Sequence, residues 1–111
     1  MNQLEQFSEI IATYSKHGWQ LRRVLMQEET LRAFAEFESD AFAGILPEAA
    51  GVDGLWFARP SHGGREAWEL RLVGATPYAL FETFEADEAE EEREEVRLEM
   101  QARLRDYVAG N

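Results

Sequence analysis

The segment from Leu55 to Val73 constrains the fold more than any other stretch of the chain. Two β-rich runs, Leu55-Trp56-Phe57-Ala58-Arg59 and Glu66 to Val73, are separated by Pro60-Ser61-His62-Gly63-Gly64. Strand formers on either side of a five- or six-residue Pro/Ser/Gly loop predict a β-hairpin. In the second run Glu66, Trp68, Leu70 and Leu72 share one face, while Glu69 and Arg71 point the other way, because successive strand side chains alternate.

Helical and strand patterns surround this hairpin. Leu4, Phe7, Ile11 and Tyr14, widened by Ile10, recur at helical spacing. Asn2 with Glu5 forms a capping-box pattern, and Gly18 is a natural stop. Trp19 to Met26 reads as a strand with Trp19, Leu21 and Leu25 on one face and Gln20, Arg22, Val24 and Met26 on the other. Arg23 breaks this alternation. Thr30 to Ala43 fits a helix capped by Thr30 and stopped by Gly44, although Leu31 to Phe37 also suits a strand pairing back on the first. Pro47 to Gly54 reads as a loop.

Thr76 and Pro77 suit the cap and first position of a further helix carrying Leu80, Phe81 and Phe84. Asp87, with Glu90 three residues on, is placed to cap a final helix from about Glu88 to Val108. Its apolar stripe is thin: Val96, Met100, Leu104, then Tyr107 and Val108. The expected fold is therefore α+β: a small antiparallel sheet of about three strands, in a two-layer arrangement, packed by an N-terminal helix, a middle helix and two C-terminal helices.

A chain of 111 residues suits one domain, here residues 1–111, and its 45% hydrophobic content is ample for a core. It has no cysteine, which excludes disulfides and thiolate metal sites and fits a reducing, cytoplasmic location. The start at Met1 to Glu5 lacks the basic and apolar regions of a secretory signal. Apolar runs fall far short of the roughly 18 residues a membrane span needs. The net charge is −11, concentrated at an acidic helix start, residues 85–95, where eight acids face one base, Arg93. Such a field disfavours nucleic acid and anionic membranes, which need cationic partners.

No residue set carries a reaction. Ser61-His62-Gly63-Gly64 is reminiscent of oxyanion-hole sequences, but no Gly-x-Ser-x-Gly nucleophile turn accompanies it. It reads instead as a loop using glycine for positive φ. His17 and His62 have no partner histidine at ligand spacing, and the acid run lacks the pattern of a calcium loop. Neither a metal nor a cofactor is expected.

The aromatic and arginine content of the sheet is the remaining signal. An outer sheet face presenting Trp56 with Arg22 and Arg71, and Glu69 nearby, would suit a ligand or a partner protein. Helices on both faces would instead turn these residues into core with arginines at the rim. Glu88, Glu91, Glu92 and Glu95 are candidate docking residues for a basic partner, against the ordinary role of a solvated helix face.

Three functions follow as expectations. The first is a non-catalytic interaction or regulatory module whose partner is another protein or, in a homodimer through the C-terminal helix, a second copy of the chain. The second is a small-molecule-binding protein or minor enzyme with a pocket beside the 55–73 hairpin; a concave cavity with a buried carboxylate would support it. The third is an acidic chaperone or adaptor. Small acidic chaperones such as those of type III secretion have a loosely similar order of elements, a likeness of architecture that covers no residue motif.

Overall fold

The computed structural model describes residues 3–35 and 42–110. A five-stranded sheet lies between helices on both of its faces. The chain order is α1 (Gln3–Lys16), β1 (Gln20–Met26), α2 (Glu28–Ala35), β2 (Glu48–Ala49), β3 (Gly54–Pro60), β4 (Glu66–Leu72), β5 (Ala79–Phe84) and α3 (Glu90–Val108). The strands lie in the order β2-β1-β3-β4-β5; β1 and β2 are parallel and all other neighbours antiparallel. The mixed α and β class is as expected. The sheet has five strands rather than three, the described residues form three α-helices rather than four, and there are three layers rather than two.

The expected hairpin is the centre of the sheet. Trp56 pairs with Leu70 and Ala58 with Trp68 on one face, while Leu55 pairs with Arg71 and Phe57 with Glu69 on the other. Between the strands Gly63 and Gly64 both take positive φ, 67° and 76°, which glycine adopts without a Cβ penalty. The strand parity read from 66–72 holds residue by residue.

β1 departs from simple alternation at a bulge. Its pairing with β3 jumps from Leu21↔Phe57 to Arg23↔Trp56, leaving Arg22 as the extra residue. Leu21, Val24 and Met26 therefore share one core with α1, and Leu25 joins the opposite core. The bulge corrects the facing expected for Val24, Leu25 and Met26 relative to Trp19 and Leu21 and accounts for Arg23, which turns to an ion pair with Glu94 on α3.

The segment expected to be a helix after Pro77 is strand β5, paired with β4 from Glu66↔Phe84 to Arg71↔Ala79. Leu80, Phe81 and Phe84 suit a short helical stripe. However, a run of six residues with two Phe and one Thr satisfies its backbone better on the open edge of β4. The loop expected at Pro47 to Gly54 contains the two-residue strand β2.

α2 begins at Glu28, before Thr30, so Thr30 is not its cap. The Thr30 hydroxyl instead donates to the Asp53 carboxylate at 2.8 Å. The expected middle helix, and Leu31 to Phe37 as a strand, run into 36–41, outside the described residues; Leu31 to Ala35 are helical, and Phe42 to Gly44 form a turn rather than the expected end of that helix. Asn2 is likewise outside them. Asp87 does not cap α3. Ala89 occupies that position without a side-chain bond, and Arg93 fastens the segment before it by donating to the carbonyl oxygens of Glu88 and Glu85.

Two cores result. Phe7, Trp19, Val24, Met26, Leu55 and Phe57 pack under α1 and α2. Trp56, Trp68, Leu70, Phe84, Met100 and Leu104 pack under α3. Met100 and Leu104 of the thin α3 stripe are thus buried on its own sheet, with Arg97, 2% exposed, beside them, while Tyr107 and Val108 at its end are exposed.

The candidate functional site on the half-covered sheet face

α1 crosses the sheet over β1 and β3, where Tyr14 stacks on Phe57 with ring centres 4.1 Å apart. On that side Ala79 and Phe81 of β5 are exposed. Register puts Phe57, Glu69 and Phe81 in one cross-strand row, so the row runs from core to solvent. Phe57 is fully buried and Phe81 is 58% exposed.

Trp19, held at the end of α1 by the turn at Gly18, packs edge-on against both Tyr14 and Phe81. The Arg59 guanidinium lies 4.4 Å from the Trp19 ring centre and donates to the His17 carbonyl at 2.9 Å. Two hollows flank the Trp19–Phe81 pair. One, of about 380 Å³, is bounded by Arg59, Pro60, Ser61, His62, Ala67 and Phe81. The other, of about 250 Å³, is bounded by Thr13, Tyr14, His17, Trp19 and Glu69.

Tyr14 donates its hydroxyl to Glu69. Burial, reinforced by this bond to a carboxylate, raises the phenol well above its ordinary value, although Arg71 opposes the shift. The phenol is therefore a fixed donor and a poor base. Arg71 donates to the Leu72 carbonyl oxygen. Apart from the Tyr14–Glu69 pair, no hydroxyl is hydrogen-bonded to a carboxylate or imidazole in this region among the described side chains.

Of the residues expected to form a ligand surface, Glu69 and Arg71 do lie together on this face. Trp56 and Arg22 lie on the opposite one. Trp56 is fully buried beneath α3 and donates its indole N–H to Gln101 at 2.9 Å, while Arg22 leans toward Trp68 at 6.0 Å. The two groups are separated by the thickness of the sheet, so they do not form one surface.

The acidic candidates sit on α3 or just before it, away from the half-covered face. Glu88 accepts from the Glu85 backbone N–H at 3.1 Å. Glu91, Glu92 and Glu95 are exposed and form no ion pair among the described residues. Sequence reasoning did not single out Tyr14, Arg59 or Phe81 as site residues. Their signal, the β3–β4 parity that puts Phe57 and Glu69 opposite Trp68, became readable as a site only with β5 in place.

A larger cleft, about 650 Å³, opens at the other end of the sheet and is lined in part by Gln3, Gln27, Asp53, Thr76 and Tyr107. Asp53 is 2% exposed and accepts from the Gln27 backbone N–H and from the side chains of Gln3 and Thr30, at 2.7–2.8 Å. Its carboxylate fastens α1 and α2 to the sheet. No three potential metal-ligating side chains cluster among the described residues, and no helix among them is long and apolar enough to cross a membrane. In comparisons with known proteins, no family model, no curated protein and no solved structure matches the chain.

Proposed function

We propose that this protein is a non-catalytic interaction module that receives an extended segment of a partner polypeptide along the free edge of β5. The observation that carries this reading is Phe81, 58% exposed on an edge strand. The Leu72 N–H donates to the Tyr78 carbonyl at 2.9 Å. In an antiparallel ladder alternate residues from that point face β4, so the backbone groups of Ala79, Phe81 and Thr83 face outward. Edge strands are ordinarily blunted by lysine, proline or a bulge, and Ala79–Phe84 has none of these. Its one guard is Glu82, whose carboxylate accepts the Thr83 N–H at 3.1 Å. A strand of backbone amides and carbonyls is the chemistry that matches such an edge, with an apolar side chain seated beside Phe81.

α3 contributes only scattered apolar surface to a partner, since Met100 and Leu104 are buried and Leu98, Tyr107 and Val108 are its exposed large apolar residues. A dimer through that helix is accordingly the weaker form of the reading. A photo-crosslinking residue at position 81, expressed in the native host, tests the proposal. A discrete adduct linked to an extended partner segment is expected, weakened when Thr83→Pro is added and absent with the crosslinker at Ser8 on α1. Labelling at position 81 no stronger than at Ser8 would discard the edge as a docking site.

A further inference from the structure

We infer that the hollow between Arg59, the Pro60–His62 turn and Phe81 is a binding site for a small, flat carboxylate, with the Arg59 guanidinium holding the anion. The inference does not depend on docking at the β5 edge, because it rests on the fixation of Arg59 and the groups around it.

Acids outnumber bases 22 to 11 in this chain, and five arginines have carboxylate partners: Arg23, Arg32, Arg65, Arg93 and Arg97. Arg59 has none among the described residues; it is exposed, yet held in place. The Trp19 ring supports its guanidinium and the His17 carbonyl takes one N–H. An arginine held in this way has lost much of its rotamer freedom before any ligand arrives, so less is lost when it binds one. Its remaining N–H groups form the planar fork that matches a carboxylate.

The surroundings define the rest of the ligand. Ala67 is 5% exposed and small, so it makes a low floor between taller neighbours. Phe81 and Pro60 are apolar walls, which favour a flat hydrocarbon body. The Ser61 hydroxyl makes no capping bond to the turn that follows it, and Ser61 and His62 are the further polar residues that line the hollow. At about 380 Å³ the space falls at the small end of ligand sites. A single guanidinium within a strongly acidic chain suits a monoanion, since a polyanion would meet the repulsion of the whole charge distribution.

Benzoate is the probe, followed by backbone amide NMR shifts, with benzamide as the uncharged isostere. Saturable shifts centred on Arg59, Ser61, His62, Ala67 and Phe81 are expected with benzoate and not with benzamide. Arg59→Gln, with its spectrum otherwise unchanged, weakens benzoate by about tenfold or more, the loss of one charge-assisted bidentate contact. Ser61→Ala, which leaves the Trp19–Arg59 stack intact, gives a smaller loss and checks the site should Arg59→Gln disturb the fold. Non-saturating shifts spread over the surface, equal binding of benzamide, or benzoate affinity unchanged in both variants would each overturn the assignment.

Discussion

The guanidinium of Arg97 lies 4.0 Å from the centre of the Trp68 ring, enclosed between α3 and the sheet. It also approaches Phe84 at 5.3 Å and forms ion pairs with Glu90 at 2.7 Å and Glu94 at 2.9 Å. Its Nε is buried without a hydrogen-bond partner. A cation in a core position is thus held by two aromatic faces and by two carboxylates that themselves reach water.

That arrangement separates the packing role of Arg97 from its charge. Arg97→Met keeps most of the volume and removes the buried charge, so it is expected to change stability by less than about 1 kcal/mol. Arg97→Ala leaves a cavity beside Trp68 and is expected to cost about 3 kcal/mol. Urea unfolding of both variants checks this; equally large losses for methionine and alanine would show that the ion pairs dominate over packing.

The same cluster makes the fold acid-sensitive. The hydrogen bond from Arg23 is the main reason the Glu94 carboxyl is held below its ordinary value; burial opposes the shift and Arg97 adds to it. Arg97 lowers Glu90 in the same way. Carboxyls lowered in the folded state contribute stability that is complete above the unfolded value, about 4.3, and lost as pH falls through the folded values. Urea midpoints measured from pH 7 to pH 3 are expected to fall in that window, and less steeply in Arg97→Met.

Tyr14 predicts the opposite, alkaline behaviour. Its raised value, due first to burial and then to Glu69, means that its contribution is intact below about pH 10 and is lost as pH rises from there toward the folded value. In a spectrophotometric titration Tyr14 is expected to ionise well above the ordinary tyrosine range. Glu69→Gln should bring it only part of the way back, because burial remains. A full return to the ordinary range in that variant would contradict the dominance of burial.

Asp53 is expected to matter for stability more than its position in a cleft suggests. Asp53→Ala removes the acceptor for the Gln27 N–H and the side chains of Gln3 and Thr30, with an expected loss of about 3 kcal/mol. Thr30→Val alone should cost about 1 kcal/mol, and the double variant should lose less than the sum, since both changes remove the same bond. Additive losses would mean that Thr30 acts independently of Asp53.

Much of the framework was legible in the sequence. The 54–72 hairpin was clear because strict alternation over seven residues, with Gly63 and Gly64 between, fits few alternatives. α1 and its stop at Gly18 were clear because four turns of consistent apolar spacing outweigh local exceptions. The candidate site was legible only in part: parity placed Glu69 and Arg71 on one face, but it could not show that Trp56 and Arg22 would lie on the other. The bulge at Arg22 changes the facing of part of β1, and bulges depend on the partner strand.

What the sequence by itself determined is therefore local: the elements whose periodicity is long enough to exclude the other period, and the concentration of acids at 85–95. The tertiary structure decided the elements and residues whose state depends on distant partners. Six residues at 79–84 become a strand because β4 offers an open edge. Arg97 becomes core because Trp68, Glu90 and Glu94 surround it, and Arg23 turns to α3 because Glu94 lies there. Phe81 becomes surface because α1 covers only half of its face, and coverage of a sheet depends on where helices lie, which no stretch of neighbouring residues encodes.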